Sequence, residues 1–166
     1  MEVKIIRSRR RRRTVSARLV DDLLLINAPL ILPQERLDEI VSGFKLKFAR
    51  KKLKTELDKE KNLLDLASAL NEKYFANKLQ IKSIEYAANQ NSRFGCCNYR
   101  TAKIRISHKI GLLPEWVRKY VLIHEMAHLI EPNHSRAFWN IVSRYKLTER
   151  ARGYLMSASI GMREAG

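Results

Sequence analysis

The chain carries only two cysteines in 166 residues, and they are neighbours, Cys96 and Cys97. Adjacent cysteines fit disulfide geometry poorly, so no disulfide framework is expected, and the usage suits a reducing cytoplasm. Also lacking is any apolar run near the roughly 20 residues that a helix needs to cross a bilayer, so a soluble protein without a membrane partner is expected. The first basic residues are not followed by an apolar stretch. Arg7 and Arg9 to Arg13 lead into the mixed segment from Thr14 to Val20, which argues against a secretory signal. No stretch rich in Gly, Ser or Pro divides the chain. Acidic residues are scarce as well, 17 against 33 Lys and Arg, for a formal net charge of +16. Such a surplus attracts polyanions by long-range electrostatics and counterion release, which makes nucleic acid a candidate partner of the basic N-terminal region. A basic, well-solvated surface would show the same composition.

What is present begins with a hydrophobic fraction of 45%, enough for one compact unit with an N-terminal extension. The pattern divides into an N-terminal β segment and basic helix, residues 1–62, and a core over residues 63–166. Val3 to Ile6, Thr14 to Val20 and Leu23 to Ala28 read as strands of a small antiparallel sheet, with Asp21-Asp22 as the turn between the last two. If the arginine tract is extended, Arg7, Arg9, Arg11 and Arg13 share one face and Arg10 and Arg12 the other, so the tract stays solvated or meets an anion. A long helical region opens at Pro33 and runs towards Leu79, with Leu37, Ile40, Val41, Phe44 and Phe48 at helical spacing. The basic run Lys45 to Lys54 then yields to a mixed-charge stretch, Glu56 to Lys61, as a boundary or a solvated face.

Leu63, Leu66, Ala67, Leu70, Tyr74 and Phe75 mark an amphipathic helix. Ile81 to Ala87 and Ala102 to Ser107 read as strands, with bends or a bulge near Gly95 and Asn98. Pro114 opens a helix whose apolar face, Trp116, Val117, Tyr120 and Val121, continues to His124 and His128. Pro132-Asn133 is expected to end it. Ser135 caps the next helix, through Phe138, Trp139 and Val142, and a short helix covers Glu149 to Ala158.

Three of the four histidines fall within eleven residues of that helix and turn. His124-Glu125-Met126-Ala127-His128 sets two imidazoles one turn apart on one helix face, where both can reach a single ion. His134 follows a sharp turn that can return its ring to the same ion. Three neutral nitrogens suit one Zn2+ ion, although cobalt, nickel or manganese can occupy similar sites, and three ligands leave a position for water. Glu125, one residue on, is placed to act as general base. Glu131 is the rival third ligand if the helix runs on, and Pro132 argues that it does not. His108, at a strand end without a partner at metal spacing, reads as structural or surface. These residues point to a metal-dependent hydrolase, most simply a peptidase acting on protein or peptide. Two alternatives share the residues: a nucleic-acid-binding protein with a structural zinc and no turnover, which would want a fourth ligand, and a hydrolase of a non-peptide amide.

The sequence resembles the YgjP-like family of metal-dependent hydrolases, relatives of the SprT and WLM metallopeptidases among the zincins. Arg93-Phe94-Gly95-Cys96-Cys97 is similar to the family's Arg-Trp-Gly-Ser-Cys segment, and Leu113-Pro114, Tyr120 to Glu125, Pro132 to Ser135 and Phe138-Trp139 continue the likeness. It is close from about Lys82 to Tyr145 and looser in the N-terminal strands. Phe94 and Cys96 depart from the usual Trp and Ser. The resemblance implies an α+β, zincin-like metallopeptidase core, a small twisted sheet packed on helices with a cleft beside the motif helix, and the same three ligands and base. Residues 93–97 would then be the edge strand, or the neighbour of the edge strand, that holds an extended substrate by backbone pairing, or else simply a turn and core strand. The two cysteines read as small buried hydrophobes, not ligands or nucleophiles. Arg93, Tyr120 and Tyr145 have the chemistry to steady an oxyanion, but the sequence places none of them.

Overall fold

A computed structural model describes residues 2–60, 63–90 and 93–164. Its contacts divide the chain into two units, Met1–Leu53 and Lys54–Gly166, within an α+β architecture of six helices and two small mixed sheets among the described residues.

In the first unit β1 (Glu2–Ser8), β2 (Ser16–Val20) and β3 (Leu23–Pro29) form a sheet in the order β1-β3-β2. Val20 faces Leu23 across a two-residue turn, with Asp21 and Asp22 both at positive φ (48° and 66°). That is the left-handed pair a tight, twisted hairpin demands, and Asp tolerates it better than most residues. β2 and β3 are antiparallel as expected, but β1 runs parallel to β3, so the sheet is mixed and not wholly antiparallel. The reason is the apolar run Leu23-Leu24-Leu25-Ile26, which takes β3 to the centre. The chain reverses direction between β1 and β2 and again between β2 and β3, which leaves β1 and β3 pointing the same way. Leu24, Ile26 and Ala28 are fully buried and pack with Leu37 and Val41 of α1 (Gln34–Glu60), flanked by Val3, Phe44 and Phe48. The arginine tract is not an extended strand. Residues 9–13 form turns and bends, while Arg7 is structural, donating to the carbonyls of Leu30 and Leu32 at 3.0 and 2.9 Å and to Gln34 Oε1 at 2.7 Å.

The division between units falls within α1, whose described helix ends at Glu60; the expected boundary between residues 62 and 63, and Lys61 of the mixed-charge stretch, touch positions outside the described residues. α2 (Leu63–Phe75) stops short of Leu79. Ala76 and Asn77 adopt positive φ, and the Asn71 side chain holds the departing chain through Leu79, donating to its carbonyl at 2.9 Å and accepting from its amide at 3.3 Å.

β4 (Ser83–Ala87), β5 (Gly95–Asn98) and β6 (Lys103–Ser107) make the second sheet, ordered β4-β6-β5, with β4 parallel and β5 antiparallel to β6. The bends expected near Gly95 and Asn98 are thus a paired edge strand, its hairpin closed by Asn98, which accepts from the Thr101 amide, and by Ala102 at positive φ. A short α3 (His108–Gly111) follows, and His108 is buried, its Nδ1 3.2 Å from the Ala87 carbonyl. α4 (Glu115–Ala127) is the hub, touching α2, β5, β6, α5 (Arg136–Val142) and α6 (Thr148–Glu164). Val117, Val121, Leu122, Ile123, Met126 and Ala127 bury nearly its whole circumference, so the helix has little freedom to rotate or slide. α6 runs beyond the expected Ala158. No described helix is long and apolar enough to cross a membrane.

Candidate metal centre

Pro114 is the N-cap of α4, and its carbonyl accepts the first helical amides, those of Val117 and Arg118. The helix stops earlier than Pro132 suggests. His128 is already the C-cap, and the amides of Leu129 and Ile130 turn back three residues in a tighter turn. This early stop lets His128 Nδ1 lie 3.2 Å from the Glu131 carbonyl. A carbonyl can only accept, so Nδ1 carries the hydrogen and Nε2 keeps its lone pair, the tautomer that a metal ligand requires. Glu131 therefore contributes its backbone, and its carboxylate is not part of the histidine cluster.

His134 is delivered by the next helix start. Ser135 caps α5, its Oγ accepting from the Phe138 amide at 3.3 Å, which anchors the residue just before it. His124, His128 and His134 then form a triangle with ring centroids 5.1, 5.0 and 4.7 Å apart. Phe138 packs against all three rings at 4.5 to 4.9 Å, and Trp139 stacks on His134. Potential ligand atoms of the three lie within 4.8 Å of one another, and Nε2 of His124 is 3.1 Å from Nε2 of His134. Two nitrogens bound tetrahedrally at zinc distances would stand about 3.3 Å apart, so this pair already has nearly that separation. Burial, then the neighbouring His128, His134 and Arg152, pushes the His124 pKa down to about 4, so the ring is neutral at neutral pH. Burial also lowers His128. Nδ1 of His124 is buried without a hydrogen-bond partner among the described residues, an imperfection that settled cores avoid and functional sites tolerate. The three histidines can hold a metal ion, and their chemistry fits one.

Glu125 is 6% exposed and lies against β5. A Cβ at Gly95 would stand 2.6 Å from Glu125 Oε1 and 2.7 Å from its Cγ, so glycine is what admits the carboxyl to this place. Burial raises the Glu125 pKa to about 7. Beside it opens a pocket of about 370 Å³ that Glu125 shares with His124, Tyr120, Arg93 and Arg152.

Of the three residues with oxyanion chemistry, Arg93 and Tyr120 line this pocket, whereas the Tyr145 hydroxyl donates to the Trp116 carbonyl at 3.0 Å. Cys96 and Cys97 are half-buried free thiols. Burial, with Glu125 nearby, pushes Cys97 up to about 12, which makes it a poor nucleophile, and Cys96 Sγ accepts from Gln90 at 2.9 Å. Two participants escaped the sequence reading. Gly95 had its motif but not its contact, and Arg152 sits on α6, outside every motif.

A family model described as YgjP-like, metallopeptidase domain, matches residues 27–150, well over half of the chain. No curated protein and no solved structure matches it.

Proposed function

The chain belongs to the YgjP-like metallopeptidase-domain family, and from that membership we propose that it is a zinc-dependent peptidase with a zincin-like core, in which His124, His128 and His134 hold the ion and Glu125 is the general base. One observation carries this reading: His124, one corner of a triangle of imidazoles, lines the same pocket as a buried carboxyl whose pKa lies near 7. A zinc ion bound there would supply a polarised carbonyl and a water whose pKa falls from about 15.7 towards about 7.

The chain's own groups do the rest. The Glu131 carbonyl fixes the His128 ring, and Phe138 packs against all three imidazoles. Glu125 takes the proton that the attacking water loses and delivers it to the departing amine nitrogen, returning to its starting state as the C–N bond breaks. A group with a pKa near neutrality is suited to both transfers. β5 is an edge strand of its sheet and offers backbone to an extended chain on the side away from β6. A closed structural zinc site is disfavoured, since the cluster among the described residues has three members and structural sites have four.

Glu125→Gln tests the reading. The variant should still bind one equivalent of zinc while peptide turnover falls by roughly 10²- to 10⁴-fold, the usual worth of a general base. Unchanged turnover would remove Glu125 from the mechanism.

A further inference from the structure

The pocket beside Glu125 is lopsided in charge. Arg93 and Arg152 line it, and its one carboxyl is Glu125 itself, buried at the inner wall against Gly95. The other side chains that line the pocket are mostly apolar: Phe94, Val121, Leu155 and Met156. Arg152 is held in place. Its guanidinium lies 4.7 Å from the Trp139 ring centroid, and its Nη1 donates to Glu149 at 3.0 and 3.1 Å. Glu149 is 80% exposed, so that pair is largely solvent-screened, and no acceptor among the described residues engages Nη2. Arg93 is exposed, with no carboxylate partner among the described residues.

Apolar walls with two guanidinium groups match a ligand with an apolar stem and an anionic tip, because the planar guanidinium fork fits a carboxylate. A volume of about 370 Å³ accommodates one substrate residue, not a folded surface. We propose that this pocket is a substrate subsite for a carboxylate on an apolar stem, read by Arg152 and Arg93, so that the protein selects peptides bearing a negative group beside the scissile bond. The inference rests on the peptidase reading for the bond cleaved. The carboxylate can come from a free C-terminus or from an acidic side chain, and a lysine or arginine at this subsite would meet like charge.

The test uses the zinc-loaded full chain carrying Glu125→Gln, so that ligands bind without turnover. Three acetylated peptides of otherwise identical sequence are titrated calorimetrically: one ending in phenylalanine with a free carboxylate, its C-terminal amide, and the amide with glutamate in place of that phenylalanine. One or both carboxylate peptides should bind at least tenfold more tightly than the neutral amide, and which of them does so identifies the source. Adding Arg152→Gln or Arg93→Gln should shrink that ratio towards one. Equal affinities for all three peptides, or a preference that survives both arginine replacements, would overturn the subsite. If Arg152→Gln fails to fold, the exposed Arg93 variant still decides. Wild-type turnover of the same peptides separates the two readings. Arginine-dependent binding without cleavage keeps the subsite and sinks the peptidase, whereas cleavage without any carboxylate preference does the reverse.

Discussion

The carboxyl of Glu125 occupies the space that a side chain at position 95 would fill. Gly95→Ala must therefore displace Glu125 or the strand beneath it, and a misplacement of about 1 Å at a reacting group can cost on the order of 100-fold. We expect kcat to drop by about that factor with zinc content unchanged; wild-type kcat would mean the contact is idle. Burial also gives this residue and its neighbour opposite pH signatures. The Glu125 pKa rises from 4.5 to about 7 on folding, so in that interval the folded chain keeps a proton the unfolded chain has lost, and the group's contribution to stability fades as pH rises. His124 falls from 6.5 to about 4, so there the unfolded chain holds the extra proton, and its contribution grows as pH rises. The slopes oppose each other where the intervals overlap. In the metal-free protein Glu125→Gln should expose the His124 slope, its urea midpoint climbing more steeply than wild type between pH 4.5 and 6.5. Parallel curves would refute the assignment. At this scale the three histidines and Glu125 were legible because their spacing along one helix and turn fixes their proximity. The contact of Gly95 with Glu125, and the place of Arg152 in the pocket that both line, arise across elements, which no local spacing encodes.

Among the elements, the start of α5 matters most to the site. Ser135 caps it directly after His134, and removing such a cap costs about 1 kcal/mol. Ser135→Ala should lower stability by about that much and also weaken zinc binding, because the turn that presents His134 loosens. A stability loss with unaltered zinc affinity would separate the cap from the ligand. Pro114 and Ser135 made the beginnings of α4 and α5 readable. The end of α4 was not, since Pro132 marks where a helix cannot continue and not where it stops; the stop belongs to His128 and its bond to Glu131. β5 was foreseen only through the family resemblance, which offered an edge strand near residues 93–97, and not by the propensities of its own residues. Gly95 and Asn98 are poor strand formers, and only pairing with β6 makes Gly95 to Asn98 a strand.

For the whole molecule, composition announced the charge but not its arrangement. Arg7 is spent inside the first unit on the Leu30 and Leu32 carbonyls, while Arg9, Arg10, Arg12 and Arg13 are exposed, and among the described residues no carboxylate pairs with them. We propose a polyanion as the partner of this segment. Single-stranded nucleic acid should bind with an affinity that falls steeply between 50 and 200 mM salt, as about that range reveals for several phosphate contacts, and replacing Arg9 to Arg13 by glutamine should flatten the slope. Binding that ignores salt, or ignores the replacement, would leave the tract as a solvated surface. The mixed order β1-β3-β2 was likewise beyond the sequence, because hydrophobic alternation names strands without saying which one lies in the middle.

The border between the two units runs through α1, a continuous described helix from Gln34 to Glu60, and not through a linker. The arginine tract lies on one side of it and every residue of the candidate site on the other. A recombination event that exchanged one unit for a foreign one would have to splice two helices in register, a far narrower target than a flexible joint.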